Sequence, residues 1–306
     1  TDVSVGSTTG ATLTITPGAS LAFDNVYMRV GDDFNKPGKL IAEGTASDSI
    51  KFIGLASAPW GGIKIGDYSA GESIIKYAQV KNVTNNVNTD AVIDIGKTAV
   101  TISNSTFSGT KMYGVDIDDL VTLNSFSNNV VAAGTKYSMR ISMEELLAVG
   151  KTNTFQTGKD VFLRVGLVNK ANTIWQNLGV PYYVDNTFTV GSVDGTASLL
   201  PEAGVTVRMK ANTGIFIGNT GPEKGTIKAI GTTSAKITFT LATETTTTDY
   251  PYWLGFKMYS YVGNETKFDY VIISKAKEGM DLTGTPAGLP VISNSLFQDI
   301  TEYGIF

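Results

Sequence analysis

Six charged residues share one local setting that recurs along this chain. Arg29, Lys64, Asp94, Asp116, Arg140 and Arg164 each sit in the middle of an apolar–charged–apolar triplet, as in Ile93-Asp94-Ile95 and Val115-Asp116-Ile117. The steps between them run from 22 to 35 residues. If the triplets are stacked strands, the charges form one outward column with Asp94 beside Asp116. Two such carboxylates repel unless a cation or flanking bases offset them, and Lys64 and Arg140 flank this pair. In a functional reading, Asp94 and Asp116 are calcium ligands or an acid–base pair, and Arg140 clamps a substrate. In the structural reading, the column is an exposed salt-bridge ladder, each pair worth at most about 1 kcal/mol. Lys64 and Asp94 recur as Lys257 and Asp281, which favours a structural role for that pair.

A second candidate is the aromatic stretch Tyr250 to Tyr261, YPYWLGFKMYSY. Strand alternation sends Leu254, Phe256 and Met258 inward and Trp253, Lys257, Tyr259 and Tyr261 outward. Flat exposed rings with a polar tip suit stacking on sugars, so these four are the expected ligand-binding residues. The alternative is that the rings pack under neighbouring loops, as expected for Trp60 beneath residues Ala56 to Pro59.

Composition removes other chemistries. There is no cysteine and no histidine. Disulfides, thiolate sites, histidine-ligated zinc and any histidine-based triad are therefore excluded. The glycines recur at turns rather than opening a helix, so no nucleotide-phosphate loop is visible. Net charge is −4 with only four arginines, so a nucleic-acid partner is not expected. No apolar run is long enough to span a membrane as a helix. Calcium is the one cofactor in view, and only through the aspartate pair.

The element that must position these residues is a short strand. A step of 22 to 35 residues suits two or three strands joined by turns, and repeats of about 20 to 45 residues signal a solenoid. The outer pair of each triplet then points inward and the charge outward. Parallel crossovers make the coil right-handed. The predicted fold is all-β, a right-handed parallel β-helix with one short helix inserted. Corner motifs support the stacking: Asn104-Ser105-Thr106-Phe107, Asn124-Ser125-Phe126, Asn153-Thr154-Phe155 and Asn294-Ser295-Leu296-Phe297. Asparagine tolerates left-handed turns and bonds its neighbours in ladders. The helix is expected where Ser142 and Glu145 could form a capping box before Leu146-Leu147, ending near Gly150. Asp32 to Gly38 and Leu241 to Asp249 read as exposed loops.

A larger repeat overlies the coils. Leu40 to Phe52 resembles Ile227 to Phe239, Trp60 to Ile65 matches Trp253 to Met258, and Ile102 to Ser105 recurs identically as Ile292 to Ser295. The expected organisation is a first block at 1–180 and a second, incomplete block at 181–306, in one continuous solenoid. An incomplete repeat is expected of a piece of a longer repeat chain.

The Thr14 to Gly18 turn, the Trp60-Gly61-Gly62-Ile63 strand, the Ile102 corner and the Leu178-Gly179-Val180-Pro181-Tyr182 lead-in resemble bacterial surface proteins with right-handed parallel β-helix repeats, in the pectin-lyase-like group. The resemblance implies export and a place at the cell surface. Some members of the wider group cleave acidic polysaccharides. Asn88-Thr89-Asp90 and Asp118-Asp119 superficially resemble the polygalacturonases, but the Gly-His-Gly motif of that family has no counterpart here. The expected function is a non-catalytic extracellular or bacterial cell-surface protein for adhesion or glycan binding. The alternative is a polysaccharide lyase or glycoside hydrolase at Asp94, Asp116 and Arg140. A third option is a structural spacer.

Overall fold

The structure, a computed structural model, describes residues 2–56, 60–84, 91–218, 221–243, 251–284 and 289–306. It is all-β and every strand pairing within its sheets is parallel, so the chain is a parallel β-helix. It divides into two compact units, Thr1–Phe162 and Leu163–Phe306. The sequence placed the block boundary near residue 180.

In the first unit each coil contributes one strand to each of three sheets. One sheet stacks Val3–Val5, Tyr27–Val30, Gly62–Ile65, Ala91–Ile95, Tyr113–Ile117 and Tyr137–Ser142. This is the sheet of the triplets, and the register matches the expectation. Arg29 pairs with Lys64, Lys64 with Asp94, Asp94 with Asp116, and Asp116 with Arg140. Met28, Val30, Ile63, Ile65, Ile93, Ile95, Val115, Ile117, Met139 and Ile141 are all buried. Each such side chain stabilises by roughly 1.5–3 kcal/mol when fully buried. An interior this apolar locks register, because a one-residue slip would turn every triplet inside out.

The second unit repeats the first strand for strand, from Phe188–Val190 to Tyr303–Ile305 against Val3–Val5 to Tyr113–Ile117. Backbone geometry repeats with it. Tyr77 and Tyr270 both adopt left-handed φ, at 47° and 51°. Trp60 and Trp253 each donate Nε1–H to a backbone carbonyl at 2.9 Å, Lys81 O and Ser274 O respectively. Gly38 and Gly225 pass so close to the preceding coil that a Cβ would lie 2.1 Å from Val5 O and 1.8 Å from Val190 O.

The asparagine corners hold in part. Asn104 and Asn294 are left-handed, at 52° and 48°. Asn124 is instead the extra residue of a bulge in Thr122–Ser127, and Asn128, at 55°, makes that corner. Asn153 turns inward. Its amide donates to Phe126 O at 2.7 Å and its Oδ1 accepts Asn129 N at 2.9 Å. Asn129 in turn accepts Ser105 N at 3.0 Å and donates to Ile102 O at 3.1 Å. The ladder closes on Ser105 Oγ, which accepts Ala78 N. This polar stack runs beside Phe107, Phe126 and Phe155, all buried.

The inserted helix is a single 3-10 turn, Leu146–Ala148, with no side-chain cap. The capping box does not form, because Ser142 still belongs to strand Tyr137–Ser142 and Glu145 Oε2 accepts Leu123 N from the neighbouring coil. Gly150 N then bonds Phe126 O and returns the chain to its sheet. Asp33, Phe34, Asn35 and Lys36 are exposed, as expected of that loop. Most of the Leu241 to Asp249 segment lies outside the described residues, as do Ser57 to Pro59 and Asn88-Thr89-Asp90. Trp60 itself is fully buried and stacks on Phe23 at 4.1 Å.

Replacing Asn129 by Leu should destabilise the chain by about 2–4 kcal/mol, since it strands the buried Ser105 N–H and Ile102 carbonyl. Urea unfolding of the two proteins checks this; equal midpoints would show that the ladder is dispensable.

Candidate functional site

On the outer face of the first unit, parallel register sets Asp94 between Lys64 and Asp116. The ion pairs do not follow the simple ladder. Arg29 Nε holds Asp2 at 2.6 Å, and its Nη1 holds Asp32 at 2.6 Å. Lys64 reaches sideways to Asp32 Oδ1 at 2.9 Å rather than along the column to Asp94. Arg140 binds Asp116 through both carboxylate oxygens, with Nε 2.7 Å from Oδ1. It also lies 4.4 Å over the Tyr113 ring. Asp116 is only 5% exposed. Burial lowers the Arg140 pKa, but the bonds to Asp116 more than offset it and raise it overall. Arg164 ends its own strand, Asp160–Arg164.

Asp94 is left without an ion pair or a side-chain hydrogen bond among the described residues. Burial, and then the Asp116 charge, push its carboxyl from an ordinary 3.8 to about 6, against the pull of Lys64 and Arg140. It lines a shallow recess of about 220 Å³ with Asp32, Lys64, Asp67, Tyr68 and Asp118. Asp116 has both oxygens on Arg140, and among the described residues no group of three or more acidic, histidine or cysteine side chains could hold a metal ion.

The equivalent face of the second unit carries a different set of side chains on the same frame. Phe216 pairs with Lys257, and Lys257 with Asp281. Phe216 thus stands where the first unit has Arg29, and Asp281 where it has Asp94. Here the cation does stay in the column, with Lys257 Nζ 3.1 Å from Asp281 Oδ2. The bond to Asp281 raises the Lys257 pKa against the effect of burial. Burial pushes Asp281 up, but Thr283 and Lys257 together hold it below its usual range. Tyr259 lies beside this row. Its ring meets Phe216 edge-on at 5.7 Å, and the Lys257 ammonium sits 5.5 Å over it. These residues, with Leu254, Phe256, Lys277 and Glu278, line a pocket of about 250 Å³.

Of the four expected binding residues, the structure brings Lys257 and Tyr259 together. Tyr261 is half-buried and does not line the pocket. Trp253 is a correction: it is fully buried and offers no face to a ligand. The alternation count fails because Gly255 has φ +97° and resets which side the chain presents between Trp253 and Phe256. Gly62, at +102°, does the same after Trp60. Tyr250 lies outside the described residues. Phe216 and Glu278 were missed. Phe216 could have been found by aligning Gly31 with Gly218, which puts it in the Arg29 position.

Against known proteins, the chain matches no protein family, no curated protein and no solved structure. The fold therefore defines its class, an all-β parallel β-helix, with two outward sites built on one repeated frame. Among the described residues no helix is long and apolar enough to cross a membrane.

Two outcomes are expected. The first concerns Asp94, whose folded pKa is raised. Its contribution to stability is present below pH ~3.8 and lost as pH rises through ~6, a loss of at most about 3 kcal/mol. Asp94→Asn should thus stabilise the chain near pH 7 and leave it unchanged near pH 3.5, as read from denaturant midpoints. A gain that is the same at both pH values would contradict the assignment. The second concerns Arg140→Ala, which should cost about 3–5 kcal/mol by leaving Asp116 buried and unpaired. Thermal unfolding measures it, and a cost below 1 kcal/mol would rule out a buried charge there.

Proposed function

We propose that this is a non-catalytic extracellular or cell-surface β-helix protein that presents a rigid sheet face for adhesion, and that its ligand is a glycan. The observation carrying this reading is the outward pocket of the second unit, where Phe216 and Tyr259 lie at right angles beside the Lys257–Asp281 pair. Aromatic walls take the apolar face of a sugar ring, and charged groups at the rim take its hydroxyls. Lys257 is already positioned by Asp281, so the rim does not have to order itself on binding.

The surface location is supported by the residue-level resemblance to bacterial β-helix surface proteins of the pectin-lyase-like group. A cysteine-free chain rich in Thr, Ser, Asn and Gly agrees with it.

A second reading, a polysaccharide lyase or glycoside hydrolase, draws on Asp94 alone. A carboxyl with a pKa of about 6 is suited to general acid chemistry near neutrality. Against it, its expected partner Asp116 is engaged by Arg140, which leaves no second free carboxylate in the pair and no free clamp.

On immobilised polysaccharides, Tyr259→Ala and Phe216→Ala should each weaken retention at least about ten-fold. Asp94→Asn should not change it, and no reducing ends or unsaturated products should accumulate. Retention untouched by both aromatic substitutions would defeat the binding reading. Product formation lost in Asp94→Asn would establish the enzymatic one.

A further inference from the structure

The pocket of the second unit does not treat its charges equally. Two ammonium groups border it, and each already faces a carboxylate. Lys257 Nζ is 3.1 Å from Asp281, and Lys277 Nζ is 3.5 Å from Glu302. Asp281 is further occupied by the amide and hydroxyl of Thr283, at 2.9 and 2.5 Å. Glu278 is different. It lines the same pocket and is half-buried, yet among the described residues its carboxylate has no hydrogen bond and no ion pair. Burial, then the Asp281 charge, raise its pKa, with Lys277 and Lys257 pulling the other way and Glu302 adding to the rise.

A half-buried carboxylate with no donor from the protein takes its hydrogen bonds from solvent or from a ligand that displaces it. Sugar hydroxyls and acetamido N–H groups can supply them. A ligand carboxylate cannot. It would bring another negative charge beside Glu278 and Asp281, with both nearby ammonium groups already engaged. Unfavourable like-charge contacts of this kind discriminate by several kcal/mol.

We propose that this pocket selects uncharged sugar rings and that Glu278 is the residue that excludes uronate-type anionic ones. The inference rests on the glycan-binding reading of the same pocket. The ring's C–H face lies on Tyr259 and Phe216, and its hydroxyls donate to Glu278. Glu278 is thus a specificity residue, while the aromatic pair supplies the contact area. Because its carboxyl titrates above the usual range, discrimination weakens as the pH falls and Glu278 takes a proton.

The test is calorimetric titration of the 306-residue chain with neutral gluco-, galacto- and manno-oligosaccharides and with oligogalacturonate and oligomannuronate. At about pH 7.5, a neutral member should bind at least about ten-fold more tightly than either uronate. Glu278→Gln, which keeps size and one acceptor, should close at least about ten-fold of that gap by raising uronate affinity. In the unaltered chain the gap should narrow as the pH is lowered from about 7.5, because Glu278 takes its proton above the usual carboxylate range. Uronates binding as tightly as neutral sugars would overturn the inference and leave the glycan reading standing. So would a gap that neither Glu278→Gln nor acid changes. No binding of either class, or binding indifferent to Tyr259→Ala, would overturn both.

Discussion

Everything in this molecule depends on the backbone ladder between successive coils. Each coil is hydrogen-bonded in parallel to the one before it, so a side-chain position is copied along the sheet at one strand spacing, roughly 4.8 Å. The interior enforces that register, because the apolar pair of each triplet from Arg29 to Arg140 is buried. The charges have no such freedom of their own. Asp94 faces Asp116 because Ile93 faces Val115 and Ile95 faces Ile117. The electrostatics of the outer face are a consequence of packing on the inner one.

The repeated frame shows how few substitutions separate two outcomes. In the first unit Arg29 recruits Asp32, and Asp32 then draws Lys64 out of the column. Asp94 loses its counter-ion and is pushed up by burial and by Asp116. In the second unit Phe216 replaces Arg29. No charge at that position recruits a competing carboxylate, and Lys257 stays on Asp281. The carboxyl is held low on this frame and raised on the other. The same exchange turns a charged strip into an aromatic one, since Phe216 brings its ring against Tyr259.

Close approach between coils explains the small residues at the corners. Gly38 and Gly225 lie where a Cβ would strike the carbonyl of the preceding coil. Gly62 and Gly255 adopt a backbone that L side chains rarely take, and each follows a tryptophan that closes its coil. These glycines permit the turn, and the tryptophans seal it from water. The internal asparagine and serine ladder satisfies the backbone groups that such tight corners would otherwise bury unpaired.

The one-dimensional pattern determined the fold class, the register of the charged column and the duplication. Each of these follows from periodicity: strand side chains alternate strictly, and a coil that repeats must repeat its apolar pair. Asp94 beside Asp116, and Lys257 beside Asp281, were legible for that reason. Only the tertiary structure decided which charges actually pair, because Lys64 and Arg140 choose among partners that lie far apart in sequence. It also decided that Trp253 is core, since a single left-handed glycine resets an alternation that counting assumes to be unbroken. Phe216 and Glu278 became part of a site for a similar reason. A pocket is a property of several coils at once, and no single stretch of chain contains it.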